Sequence, residues 1–149
     1  MNAIAQLLTQ DAIVLTAKPT TKEALFTEAA LALGQRLGIN STTVEDCLKM
    51  REQLGSTGLG QGVGIPHGRL KGLKQVAGMF YRLSTPIPFD APDNRPVDLA
   101  FFLLVPEQST EEHLQLLSEL AQGFSDPDFR DKLRSSTDAA EVLKLFASN

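Results

Sequence analysis

Apolar residues fall along this chain in two kinds of run, and the contrast sets the elements to expect. Val97-Asp-Leu-Ala-Phe-Phe-Leu-Leu-Val105 is apolar at nearly every position, as a strand buried on both faces of a sheet should be. Pro106 ends it. Ala12-Ile-Val-Leu-Thr16, compact and β-branched, reads as a first strand, and Gln75 to Leu83 as another. Between Leu83 and Val97, Ser84 to Pro96 carries four prolines with Asp90, Asp93 and Asn94, which reads as turns, with room for a short paired stretch near Ile87 and Phe89.

The remaining apolar positions recur at helical spacing. Residues 3–8 suit a short helical turn. Thr20 and Glu23 form a capping box before an Ala/Leu-rich helix to Leu37, with Gly38 as its stop. Thr42 and Glu45 form a second box, and Val44, Leu48 and Arg51 line one flank of a helix ending near Leu54 and Gly55. Ser109 and Glu112 make a third, opening a helix with His113 in its first turn; Leu114, Leu117, Leu120, Ala121 and Phe124 trace its apolar stripe. Asp126-Pro127 starts a short helix to about Leu133, and a last helix runs from Thr137 or Asp138 to near Phe146. Helices outnumbering strands around one fully apolar strand predict an α/β fold, a three-layer α/β/α sandwich with a small sheet. We expect one domain over residues 1–149.

One stretch fits neither pattern. Gly55-Ser-Thr-Gly-Leu-Gly-Gln-Gly-Val-Gly-Ile-Pro-His-Gly-Arg-Leu70 has five glycines before its histidine and one after. Each glycine in a helix costs about 1 kcal/mol relative to alanine, so the stretch predicts a loop. Glycine admits close approach of another molecule, and Pro66 fixes φ just before His67. The expectation is an exposed loop that presents His67.

Net charge is −4 and there is one cysteine. The charge gives no general footprint for nucleic acid; Arg69, Lys71 and Lys74 form only a small basic cluster, better suited to a protein partner with a negative patch. A lone Cys47 excludes an internal disulfide and reads as a small buried apolar residue. The N-terminal residues lack a signal peptide's charged region and cleavage site. The longest apolar run, Leu99 to Val105, falls well short of the roughly 20 residues that span a bilayer. A cytoplasmic protein without membrane insertion is expected.

The chain has two histidines, in unlike settings. Near the N-terminus of a helix the dipole disfavours protonation of His113. For a histidine to accept a phosphoryl group, one ring nitrogen must be free while a hydrogen bond on the other fixes the tautomer. The phosphoryl oxygens then need backbone N–H groups and a cation. The glycine stretch offers the first, with Ser56, Thr57, Gly58 and Gly68 as candidate binding positions, and Arg51, in the last turn of its helix, offers the second. On spacing alone, a plain turn beside a structural histidine and a solvated helix-terminal arginine remain open.

Competing motifs fail more clearly. No lysine lies between Arg51 and Lys71, so no Walker loop is present. The sixth positions required by G-x-G-x-x-G are Val63, Ile65 and His67, which removes the dinucleotide fingerprint. G-x-S-x-G is absent. A metal site would need His67 and His113 to converge with Glu111 or Glu112, and nothing in the spacing favours that. We expect neither metal nor cofactor.

Arg51 through Gly68, ending Gly-Val-Gly-Ile-Pro-His-Gly, resembles the active-site signature of the enzyme IIA proteins of the bacterial sugar phosphotransferase system, mannitol/fructose class. Phe89-Asp-Ala-Pro-Asp, Pro96-Val-Asp-Leu, Leu104-Val-Pro-Glu, Glu112-His-Leu-Gln-Leu-Leu and Phe124-Ser-Asp resemble its nitrogen-regulatory branch. The resemblance spans almost the whole chain. It implies a phosphotransferase component with His67 phosphorylated on Nε2, Arg51 facing the phosphoryl group and His113 as the second active-site histidine. It also implies a mixed sheet. The implied donor is a histidine-phosphorylated HPr-like carrier protein, and the implied output is state-dependent binding to regulatory target proteins. A sugar-specific component passing phosphoryl to a IIB domain is the alternative within the family; outside it stands a phosphorylation-independent binding module. Gly64 departs from the family's usual alanine, which implies a change in local loop stiffness.

Overall fold

In the computed structural model, which describes residues 2–148, the strand β6 (Val97–Pro106) is the centre of a six-stranded mixed sheet. Its side chains alternate between two buried faces. Phe102 meets Phe26 edge-on at 5.4 Å, whereas Phe101 packs on Phe146 at 5.6 Å. Residues Leu99 to Val105 are all buried, the burial on both faces that an unbroken apolar run requires.

β1 (Ile13–Ala17) lies parallel to β5 (Ala77–Ile87), and β5 lies antiparallel to β6. The pairing of Ile87 with Val97 continues β5 past the predicted Leu83. Among the described residues, six α-helices flank the sheet. α2 (Lys22–Leu37) and α3 (Ser41–Gln53) pack on each other and on one face, α2 against β5 and α3 against the glycine-rich edge. α1 (Asn2–Leu7), α4 (Thr110–Phe124), α5 (Pro127–Ser135) and α6 (Ala139–Ser148) pack among themselves. Their α6 brings Phe146 onto Phe80 and Phe101, the opposite face. The result is the expected α/β/α sandwich. No helix of the described residues is long and apolar enough to cross a membrane.

The glycine-rich stretch corrects the sequence reading. It is not a free loop but three short strands, β2 (Gly58–Gly60), β3 (Val63–Gly64) and β4 (His67–Leu70). Both β3 and β4 run parallel to β6, with Val63 opposite Leu99 and His67 opposite Leu103. Between them Pro66 has no N–H to give, but its carbonyl accepts from Leu103 N at 3.0 Å. The buried edge of β6 needs backbone partners, and this stretch supplies them despite its glycines. At Gly68 a Cβ would lie 2.5 Å from Cys47 Sγ, so α3 sits on β4 only because the position is glycine. At Gly64 a Cβ would lie 2.9 Å from the Phe89 ring, so close packing rather than loop stiffness is what the departure from alanine concerns.

Helix starts also differ in detail. The cap of α2 is Thr21, accepting from Ala24 N, and that of α3 is Asn40, accepting from Thr42 N; Ser109 begins α4 without a side-chain cap bond. The stripe of α4 is rotated from the predicted one: His113, Leu116, Leu120 and Phe124 are buried while Leu114 is 62% exposed. The same 3.6-residue period fits either set, and the buried set places a histidine on the inner face.

Candidate functional site

His67 is the first residue of β4, at the break after Pro66. Its Nδ1 lies 2.8 Å from the Ile65 carbonyl oxygen. A carbonyl only accepts, so Nδ1 carries the proton and Nε2 keeps its lone pair. His67 is 7% exposed, which corrects the expectation of a histidine displayed in solvent. Burial holds its pKa below the ordinary histidine range; the Arg51 cation acts the same way, against the Ile65 bond and the Glu52 charge. His67 is a neutral imidazole near pH 7.

His113 reaches the same place from α4. The two rings stand edge to face with centroids 5.2 Å apart. Arg69 Nε donates to His113 Nδ1 at 3.3 Å. Burial, then the charges of His67, Arg69 and Arg51, hold this ring below the ordinary range as well. Its Nε2 is buried without a hydrogen-bond partner, the one such side-chain nitrogen or oxygen among the described residues. The histidines converge, but among the described residues no group of three or more His, Cys, Asp or Glu is placed to hold a metal ion.

Arg51 completes the cluster. Its Nη1 donates to the Gly55 carbonyl oxygen at 2.8 Å, which folds the guanidinium back over the start of the glycine stretch. Arg51, His67, Gly68, Arg69 and His113 line one open cavity of about 670 Å³. Met50 and Leu54 lie on its rim, 67% and 86% exposed. A buried imidazole with a free Nε2, a guanidinium and a second imidazole nitrogen without a partner thus share one open cavity.

Ser56, Thr57 and Gly58 do not line that cavity. Ser56 Oγ donates to the Phe89 carbonyl oxygen at 3.0 Å and accepts from Gly58 N at 3.1 Å. Thr57 donates through N and Oγ1 to the Glu52 carboxylate, and its carbonyl accepts from Ile65 N. These groups brace the stretch. Sequence reasoning missed their anchor, Glu52, which also accepts from Lys22 Nζ at 2.7 Å. It also read Arg69 only as part of a basic cluster. The available signal was period-two spacing: once His67 is on a strand, Arg69 shares its side of the pleat. From the far end, Arg134 donates to the Gln61 carbonyl oxygen at 2.7 Å and pairs with Asp98 at 2.9 Å, holding the turn between β2 and β3.

The α/β/α sandwich thus brings an imidazole from the strand beside β6 and one from α4 together over one open cavity. The chain belongs to the phosphoenolpyruvate-dependent sugar phosphotransferase system EIIA 2 family, whose model matches residues 6–149. Within it, the chain is 39% identical over 144 residues to a nitrogen regulatory protein of Bradyrhizobium diazoefficiens, covering 97% of this chain and 94% of that one. The crystal structure of the nitrogen regulatory protein IIA-Ntr from Neisseria meningitidis superposes with a TM-score of 0.94 at 47% identity, covering 97% and 99% of the two chains. A fructose-specific EIIA component of Haloferax volcanii is 32% identical, covering 97% and 94%.

Proposed function

We propose that this protein is a phosphoryl-carrier regulatory protein, with His67 Nε2 accepting the phosphoryl group of a histidine-phosphorylated HPr-like carrier. The observation that carries the reading is the locked tautomer: the Ile65 carbonyl holds the proton on Nδ1 and leaves Nε2 as a buried, neutral nucleophile. In the transfer, the Nε2 lone pair attacks phosphorus while the bond from phosphorus to the carrier's histidine nitrogen breaks. That nitrogen leaves with the electron pair as a neutral imidazole. His67 keeps its Nδ1 proton, and the positive charge developing on its ring is shared with the Ile65 carbonyl. Arg51 and the His113 ring stabilise the phosphoryl oxygens, where positioning and charge do most of the work.

Met50, Leu54 and Leu114, exposed beside the cavity or next to His113, offer an apolar rim for the carrier to dock on. Up to two added negative charges at this rim change which surfaces bind there, without refolding. Such a relay works where its carrier is, in the cytoplasm, and needs no cofactor of its own. The likeness to nitrogen regulatory relatives supports control of target proteins as the output. The Haloferax relative favours a second reading, a sugar-specific component, which would discharge rapidly to a IIB domain.

The test is intact-protein mass after incubation with phosphoenolpyruvate, enzyme I and an HPr-type carrier. We expect one acid-labile phosphate on the wild type and none on a folded His67→Ala protein. Full labelling of His67→Ala would remove His67 as acceptor. No added mass with a competent donor would move the function to a phosphorylation-independent binding module.

A further inference from the structure

The two histidines are locked into position by different means, and the second lock has no role in the transfer as described so far. His113 Nδ1 faces the Nε–H of Arg69. An arginine guanidinium has donors only and does not lose its proton. The facing Nδ1 must therefore accept, which puts the ring proton on Nε2. That nitrogen is the buried atom without a partner, in a ring 5.2 Å from the His67 ring. An unpaired buried donor is costly, and most are satisfied in the working state of a protein.

We infer that Arg69 is a positioning residue that holds His113 as the neutral Nε2–H tautomer, so that this N–H donates to a phosphoryl oxygen on His67. The inference rests on the proposed phosphoryl acceptance and deepens it. The two rings then carry opposite tautomers, each set by one partner. The Ile65 carbonyl makes His67 Nε2 an electron-pair donor, and the Arg69 guanidinium makes His113 Nε2 a hydrogen-bond donor. A nucleophile and an oxyanion donor are what one phosphoryl group needs from two imidazoles.

Arg69 is itself well placed for this. Its backbone pairs with β6 opposite Val105, and its carbonyl oxygen accepts from Cys47 Sγ at 3.2 Å. Only the side chain is left to reach across to α4. Protonation of His113 would set an Nδ1–H against the guanidinium N–H, two donors and two cations in contact. The positive end of α4 opposes it too, since His113 lies in that helix's first turn.

The experiment reads the histidine ring nitrogens by ¹⁵N NMR in the wild type, Arg69→Met and Arg69→Lys, alongside the rate of phosphoryl acceptance. Methionine keeps much of the stem but neither the donor nor the charge. In the wild type we expect His67 protonated on Nδ1 and His113 on Nε2. In Arg69→Met, His113 should become a mixture of both tautomers while His67 is unchanged, and acceptance should fall about tenfold, the lower end of what outer partners of metal-bound histidines contribute. Arg69→Lys should restore the His113 tautomer and most of the rate. A wild-type His113 protonated on Nδ1 would overturn the inference, as would an Arg69→Met protein with one Nε2–H tautomer and the wild-type rate. The tautomers are read without any phosphoryl donor. A wild type that takes no phosphate but shows the expected tautomers would therefore overturn the functional reading and not the Arg69 lock.

Discussion

Two neighbours in one sheet divide the tasks of this protein. β6 is apolar and buried on both faces through its own side chains; the glycine-rich edge beside it is buried too, but in short strands held by backbone pairing, and it carries the candidate reactive ring. They are joined by backbone bonds, from Val63 opposite Leu99 to Leu70 opposite Pro106. The stable strand acts as a ruler against which the reactive one is aligned. His67 is held by its strand, which β6 fixes, by a carbonyl two residues back and by burial against the His113 ring. Stability and transfer are thus separable by mutation to a degree that one shared sheet would not suggest.

Damage to the ruler should cost the most stability. Phe102 is fully buried against Phe26 and Tyr81, and Phe102→Ala should lose about 3–5 kcal/mol. Acceptance measured below the variant's melting temperature should stay near wild type. Chemical denaturation and transfer assays on one preparation check both halves, and a large loss of rate in the folded variant would break the division. Gly68→Ala attacks the other side. Its Cβ would meet Cys47 Sγ at 2.5 Å, and the expected cost is about 1–3 kcal/mol, as for overpacking elsewhere. Because the clash pushes β4 from α3, which carries Arg51, acceptance should fall out of proportion to stability. Adding Cys47→Ala should return much of both, a coupling that a double-mutant cycle measures.

A smaller effect sharpens the comparison through pH. Both rings have folded pKa values below the ordinary histidine value of about 6.5. The unfolded chain therefore binds protons first as pH falls, so stability is full above about 6.5 and declines below it, by at most about 1.4 kcal/mol per pH unit for each ring. A His67→Gln, His113→Gln protein should lose that slope between pH 7 and 5.5. An unchanged slope in denaturation midpoints would show that the rings are not buried neutral.

What could be read in the sequence follows the same division. β6 was legible because its own side chains dictate its burial. The helices were legible from period and composition, and the family from motifs spread along the chain. The glycine-rich edge was not, since its strand character comes from β6, a partner far off in sequence. The burial of His67 went unseen for the same reason: a proline and glycines say that the chain turns, not what covers it. Ser56, Thr57 and Gly58 looked like ligand-binding positions because nothing local announces that Glu52 and Phe89 use their hydrogen bonds. Caps slipped by one or two residues at Thr21 and Asn40, where neighbouring polar residues compete for one role. On α4 the Leu114 stripe and the His113 stripe share a period, and only the packed sheet chooses between them.

The central claim is that a tautomer locked by one backbone carbonyl makes His67 Nε2 the acceptor. It is tested most directly by ³¹P and ¹⁵N NMR of the protein after charging by an HPr-type carrier. The account predicts a single phosphorus resonance coupled to Nε2 of His67, with the proton still on Nδ1. A phosphorus bonded to Nδ1 of His67, or to either nitrogen of His113, would contradict it.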